Sequence, residues 1–480
     1  MPLLDPARWR LLHGGEAAAV EPATGEALGT FTLAAPSDVE EAALTAARAQ
    51  RAWATAPYSE RAAVLRRAGD LIRRHEPEIG EWIVRESGSI RGKADFEIRT
   101  ASEECYEAAA LAHRPLGQVL PSTAPRLSYT SRMPAGVVGV ITPFNAPLVL
   151  AARSVAPALA LGNAVVLKPD PRTAVCGGHA LAAVFAEAGL PEGLLRVLPG
   201  GAETGRALVE DPRVRVVSFT GSTRAGRAVG ELAARHLKRA HLELGGNSAF
   251  VVLEDADLDA AMSTAAWASF FHQGQVCMTA GRHLVHSSRY DEYVERLAAK
   301  ADSLTVGDPY REQVHLGPVI DRGHLDRIDE LVRGSAAAGV RIAAGGRYRD
   351  LFYRPTVLAD AGPGSVGASP AYGREVFGPV APVRAFDTLD EAVALAGDSG
   401  YGLALGIVTR DTARALDLAD RVPTGLVHIN DQTVNDEPIA PFGGLGDSGT
   451  GSRFGGEANL DAFTETRWTT VRATPAAYPF

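Results

Sequence analysis

The chain has 480 residues, 46% of them hydrophobic, and a net charge of −9; that length exceeds what one core usually serves and predicts two or three structural units. The acidic balance and the lack of a like-charge run exclude a basic footprint for nucleic acid. Three cysteines, Cys105, Cys176 and Cys277, form neither a disulfide framework nor a metal-ligand cluster and suit a reducing compartment, so the expected location is cytoplasmic.

In chain order, Met1 to Arg10 sets Asp5, Arg8 and Arg10 among few apolar residues, which does not make a signal-peptide core. From Ser37 to Glu86 apolar residues recur at helical spacing, with Ser37 and Ser59 as candidate caps, so the first hundred residues read as mostly helix. The polar, proline-marked stretch from Pro115 to Arg132 reads as an extended arm. Met133 to Ala152 carries no charge, but Pro134, Pro143 and Pro147 interrupt it, which predicts a buried strand and loop and no membrane span.

Strands are then expected at 137–142, 164–167, 194–197 and 214–219, with helices at 154–161, 173–189, 203–209 and 224–236. This alternation predicts a parallel sheet covered by helices on both faces, with ligands beyond the carboxyl ends of its strands. A second α/β series runs from Ser248 to about Val427, with helices at 257–271 and 287–303. The tail from Asn459 to Arg472 ends in a β-like segment, either an edge strand offered to a partner subunit or a strand within the chain.

Candidate chemistry falls at the expected strand ends. Cys277, between a predicted helix and strand, reads either as a nucleophile or as a buried core thiol. Lys168 closes a strand, where its ammonium can reach ribose hydroxyls or phosphate or simply face solvent. Gly221 and Ser222 lead a strand into a helix, placing backbone N–H groups toward a pyrophosphate or forming an ordinary cap; the GxGxxG fingerprint is absent. Glu243, an acid between apolar residues before two glycines, suits a general base of raised pKa or a backbone-bonded carboxylate. Asn145, in a proline-locked loop, can donate to an oxyanion or satisfy its own turn. Glu375 and Phe377 can take ribose hydroxyls and pack beside a nicotinamide.

Together Pro143-Phe144-Asn145, Lys168-Pro169, Gly221-Ser222-Thr223, Glu243-Leu244-Gly245-Gly246, Gly274-Gln275-Val276-Cys277, Glu375-Val376-Phe377-Gly378-Pro379 and Pro441-Phe442-Gly443-Gly444 resemble, in order and spacing, the NAD(P)-dependent aldehyde dehydrogenases. The resemblance spans about Pro22 to Val471. It implies an α/β fold with a Rossmann-like parallel-sheet cofactor domain over 1–114 and 133–242, a second α/β catalytic domain over 243–440, and a small β oligomerisation arm over 115–132 and 456–480. It further implies that Cys277 attacks the aldehyde, that Asn145 and the Cys277 amide hold the oxyanion, and that Glu243 activates the hydrolytic water. Thr142, Pro143, Phe144, Lys168, Gly221, Ser222, Gly226, Leu244, Gly245, Glu375 and Phe377 are then cofactor contacts.

One position departs from the family pattern. NAD-preferring members commonly carry a Glu three residues beyond the lysine, and here that residue is Pro171. NAD is expected, with NADP use open through Lys168 and Arg172, and Asp170 opposing it. The strings around Lys168, His428 and Gly451 resemble the benzaldehyde and vanillin dehydrogenase branch, which implies an aromatic aldehyde, with Phe144, Trp267 and Phe271 as candidate pocket walls; Trp267 and Phe271 equally suit a helix core face at i and i+4. A homodimer or homotetramer is implied, and no metal. The rival readings are a cofactor-independent thioester hydrolase or acyltransferase, a CoA-acylating enzyme, an aliphatic aldehyde dehydrogenase, and a catalytically silent binding protein.

Overall fold

A computed structural model describes residues 3–9, 11–362 and 364–480; Met1, Pro2 and Arg10 of the amino-terminal stretch read above, and Pro363, lie outside the described residues. An antiparallel hairpin, β1 (Glu16–Val20) and β2 (Ala27–Thr32), precedes four helices: α1 (Pro36–Thr55), α2 (Tyr58–Arg74), α3 (Glu76–Ser87) and α4 (Arg91–Leu111). Helices α1 and α2 start one residue before the expected caps, Ser37 and Ser59. For α1 the reason is Asp38, which accepts the Ala35 N–H at 2.7 Å.

The arm strand β3 (Leu127–Pro134) leads into a five-stranded parallel sheet of β4 (Val137–Ile141), β5 (Ala164–Lys168), β6 (Leu195–Val197), β7 (Val214–Thr220) and β8 (Arg239–Glu243), ordered β6-β5-β4-β7-β8. Every residue of β4 and β5 is buried, as expected of strands covered on both faces. The chain steps outward from β4 to β6 and then returns to β7, so the strand order reverses beside β4. Thr142, Lys168 and Gly221 stand at that switch point, where open α/β sheets bind ligands.

Two helices differ from the sequence expectation. Helix α5 (Pro147–Ala160) begins seven residues before the predicted start at Ser154, inside the stretch read as strand and loop. Its cap is not local: the N–H groups of Leu148 and Val149 in its first turn face the buried Glu97 carboxylate on α4, which they help to keep ionised. The predicted helix over 173–189 is divided into a 3-10 turn at Pro171–Thr173, a π-helical turn at Val175–His179 and α6 (Ala180–Glu187). There the buried Glu86 carboxyl accepts the Val175 and Cys176 N–H groups at 3.0 and 2.8 Å, bonding them from outside the helix. Helices α7 (Ala202–Glu210) and α8 (Thr223–Arg235) complete this half.

A seven-stranded sheet follows, with β9 (Ser248–Val252) and β10 (Ala280–His286) near its centre and β11 (Val340–Ala344) as its antiparallel edge. Side chains of β9 alternate between two cores: Ala249 and Val251 pack on one face, Phe250 and Val252 on the other. The tail strand Thr464–Val471 pairs antiparallel with β3 along eight residues, which makes it a strand within the chain.

Asn163 ties these parts together. Its side chain accepts the Gly136 N–H at 2.9 Å and donates to the carbonyls of Ala158 at 2.9 Å and Phe463 at 3.0 Å, fully buried. Asn163→Ala leaves the Gly136 N–H without its partner and removes one of the two donors at each of the Ala158 and Phe463 carbonyls, and is expected to cost about 1–3 kcal/mol, read as a lower denaturant midpoint.

Candidate active site

A cleft of ≈ 1210 Å³ runs from the carboxyl ends of β4, β5 and β7 to Cys277. Thr142, Pro143, Phe144, Asn145, Lys168, Gly221, Ser222, Leu244, Gly245, Cys277, Glu375 and Phe377 all line it. Of the sequence-predicted residues, Glu243, Gly226, Trp267 and Phe271 do not. Gly226 acts from behind the wall: a Cβ there would fall 2.1 Å from Leu244 Cδ2, so α8 rests directly on Leu244. Trp267 and Phe271 stack on each other with ring centroids 4.2 Å apart, and Trp267 is 48% exposed.

The Cys277 loop is held by an unusual turn. Helix α9 (Leu258–Phe270) ends, and His272, Gln273 and Gly274 follow at φ 51°, 58° and 65°, two of them non-glycine residues in the sparsely populated left-handed region. Buried anchors hold the turn. Gln273 Nε2 donates to the carbonyls of Gly88 (3.1 Å) and Pro318 (2.7 Å), and the Ile320 N–H donates to Gln275 Oε1 (3.0 Å). A Cβ on Gly274 would lie 2.1 Å from the Gly378 carbonyl oxygen, so only glycine fits. Cys277 thus follows the carboxyl end of α9, where the helix dipole offers a thiolate no help.

Electrostatics around the sulfur follow from burial. The Cys277 thiol is pushed up to about 12, first by burial and then by the charges of Glu375 and Glu243, with Arg153 opposing. Glu243 ends β8, and burial drives its carboxyl well above the usual range against the pull of Arg453, Arg153 and the Gly444 N–H. Neither oxygen has a hydrogen bond of good geometry. The carboxyl lies against Gly443, whose Cβ would come within 2.5 Å of Oε1, and His241 Nε2 is 3.9 Å away. His241 is itself buried, stacked on Phe454 at 4.0 Å, and pushed down to about 3 by that burial.

Asn145 is held from beneath by a buried ion pair. Lys93 Nζ donates to the Asn145 carbonyl at 2.7 Å and lies 3.3 Å from both oxygens of Glu97. The same Glu97 caps α5, so one acid and one base on α4 fix both the loop and the helix that follows it. Arg153, the lone cation of α5, is buried against Glu104 (3.2 Å), pairs with Asp436, and lies 4.7 Å over the Phe442 ring.

The residues fit a nicotinamide dinucleotide. Glu375 is half-buried, and its carboxyl is pushed up to about 7 by desolvation, with the Gly246 N–H donating to it at 3.1 Å; its oxygens stand 2.3–2.7 Å from where a Gly245 Cβ would be, so the glycine opens this cradle. Lys168 Nζ donates to the carbonyls of Pro169 (3.2 Å) and Gly200 (2.5 Å), which leaves one of its three N–H donors for a ligand. Ser222 caps α8 by accepting the Ala225 N–H at 3.3 Å, which leaves its own O–H to donate. Phe377, at φ 55°, passes its carbonyl to His324 Nε2 at 2.7 Å and meets Phe144 edge to face at 5.9 Å. Among the described residues no group of His, Cys, Asp and Glu is arranged to hold a metal ion.

The sequence reading missed Lys93, Glu97, Arg153, His241, Arg453 and Gln273. Three of these leave a signal, since Lys93 and Glu97 are an i,i+4 pair and Arg153 is a single charge in the apolar run Pro147–Ala160.

A parallel-sheet, dinucleotide-sized cleft lined by a thiol, an amide and a carboxylate, with a second acid buried close by, has the makings of a cysteine-dependent oxidoreductase. The aldehyde dehydrogenase family profile matches residues 9–469, and the chain belongs to that family. It is 67% identical, over 98% of this chain and 96% of the relative, to a vanillin dehydrogenase of an Amycolatopsis species. It is 50% identical, over 98% and 96%, to the NAD(+) benzaldehyde dehydrogenase of Pseudomonas putida. A solved betaine aldehyde dehydrogenase of Staphylococcus aureus in complex with NAD+ superposes with a TM-score of 0.93 at 30% identity, covering 97% of this chain and 93% of that one.

Lys93→Met strands Glu97 without its partner and is expected to cost about 3 kcal/mol of stability. Lys93→Met combined with Glu97→Gln is expected to recover part of that loss, and a double-mutant cycle of denaturation free energies measures it.

Proposed function

We propose that the protein oxidises aromatic aldehydes, of the benzaldehyde and vanillin kind, to carboxylic acids with NAD+. The observation that carries this reading is the convergence of Cys277, Asn145 and Glu375 on one dinucleotide-sized cleft; the vanillin and benzaldehyde relatives support the aromatic class.

The Cys277 thiolate forms a C–S bond to the aldehyde carbon, and the carbonyl electron pair moves onto oxygen, facing the Asn145 amide and the Cys277 N–H. NAD+, when bound, supplies the acceptor for the hydride that leaves this carbon. Glu243 then takes a proton from water as its oxygen adds to the thioester, and the C–S bond breaks, returning the thiolate and releasing the acid. Glu375 takes the hydroxyls of the nicotinamide ribose beside Phe377; Lys168 takes those of the adenosine ribose, and Gly221 and Ser222 meet the pyrophosphate.

Glu243 rests outside the cleft, against Gly443, so it must turn toward Cys277 to serve as base. The cofactor approaches Cys277 through the cleft and the aldehyde from elsewhere. The Trp267–Phe271 stack, outside the cleft and preceding the Cys277 loop, offers the ring a flat surface on that second approach, with Phe144 on the cofactor side. A homodimer or homotetramer in the cytoplasm completes the reading, assembled through the sheet of β3 and Thr464–Val471, whose Trp468 and Leu127 are exposed. No helix among the described residues is long and apolar enough to cross a membrane.

Cys277→Ala is expected to abolish reduction of NAD+ by benzaldehyde while NAD+ still binds; loss of both would make the thiol structural. Asn145→Ala should lower kcat by about 10²–10³ in the same absorbance assay. Because the pKa of Glu243 is raised, its base form appears only as pH rises, so deacylation should speed up from neutral to alkaline pH. In Glu243→Gln that dependence should vanish and the acyl-enzyme accumulate, which intact mass spectrometry detects.

A further inference from the structure

The residue beyond Lys168 that would ordinarily judge the adenosine ribose is Pro171, yet the turn it starts is strongly charged. Arg172 forks onto Asp170, with Nε to Oδ1 at 2.9 Å and Nη2 to Oδ2 at 2.7 Å. Its Nη1 donates to Asp321 Oδ2 at 2.6 Å, and its guanidinium lies 4.3 Å over the Phe144 ring. Asp170 and Arg172 line the cleft beside Lys168. Asp321 belongs to the other half of the molecule, where it caps helix Arg322–Ala337 by accepting the His324 N–H at 2.7 Å.

A free arginine next to Lys168 would be a ready partner for a 2′-phosphate, because its planar fork matches phosphate oxygens. Here that fork is already engaged by two carboxylates, and the three side chains together carry one net negative charge. A 2′-phosphate entering beside them finds the Arg172 fork already taken, and the one excess acid offsets the neighbouring Lys168 ammonium. A 2′-hydroxyl meets a carboxylate with lone pairs to spare, which is the chemistry that favours NAD+.

We propose that the Asp170–Arg172–Asp321 bridge sets the choice of NAD+ over NADP+, in place of an acid at position 171. Asp170 is the group that meets the ribose. Asp321 is a positioning residue, since it acts on cofactor choice from the opposite half by holding Arg172. The inference rests on the cofactor placement proposed above.

The test uses Asp→Asn replacements, which remove charge while keeping the capping role both aspartates play. Isothermal calorimetry with NAD+ and with NADP+ gives dissociation constants without turnover. The wild-type protein is expected to bind NAD+ at least about tenfold more tightly than NADP+. Asp170→Asn with Asp321→Asn should tighten NADP+ binding by about tenfold or more and change NAD+ binding by less than about threefold. Adding Arg172→Gln should erase the gain, which marks the freed guanidinium as its source. Asp321→Asn alone should move the ratio in the same direction, an effect that loss of a helix cap would not produce. A ratio that stays within about twofold of wild type in the folded double variant, or a wild type that binds both nucleotides equally, overturns the proposal. A wild type that binds neither overturns the cofactor placement and the proposal together.

Discussion

The active site depends on a contact with no room for a side chain. Gly274 presses on the Gly378 carbonyl so closely that a Cβ would sit 2.1 Å from its oxygen, and this locks the nucleophile loop to the segment bearing Glu375 and Phe377. Once these two backbones are in register, Cys277 and Glu375 cannot move independently. The three left-handed residues before Cys277 are the conformational cost of that register, of order 1–3 kcal/mol for each strained non-glycine residue. Buried anchors from Gln273 and Gln275 offset it.

The second constraint is electrostatic. Cys277, Glu243 and Glu375 are three acids brought close together in a place with little water, and burial raises all three. Such acids cannot all ionise at once without opposing charge, and Arg153 is the buried cation that lowers both Cys277 and Glu243. In the cycle proposed above this crowding is used in sequence: the thiol ionises to attack, and the Glu243 carboxylate is needed only afterward. Glu243 lying against Gly443, away from the cleft, keeps two negative charges apart during the first half of the cycle.

Much of this was legible in the sequence. The strands β4, β5 and β7 were found to within a residue or so, because strands buried on both faces write themselves as Val-, Leu- and Ile-rich runs bounded by helices. Twelve cleft residues were named from strand ends and glycine breaks or from motif likeness. What escaped had its cause far away in the chain. The start of α5 was missed because its cap, Glu97, lies on another helix, and the division of the 173–189 helix because Glu86 lies on α3. Trp267 is near Cys277 in number but does not line the cofactor cleft, and the left-handed residues His272 to Gly274 stand between the two.

The non-local cap on α5 has a consequence for how the protein assembles. Asn145 owes its position to Lys93, and the first turn of α5 to Glu97, so neither is in place until α4 docks across the amino end of α5. The loop that carries Asn145 is therefore set by the packing of one helix as much as by the strand it leaves, and its position depends on a residue 52 places earlier in the chain.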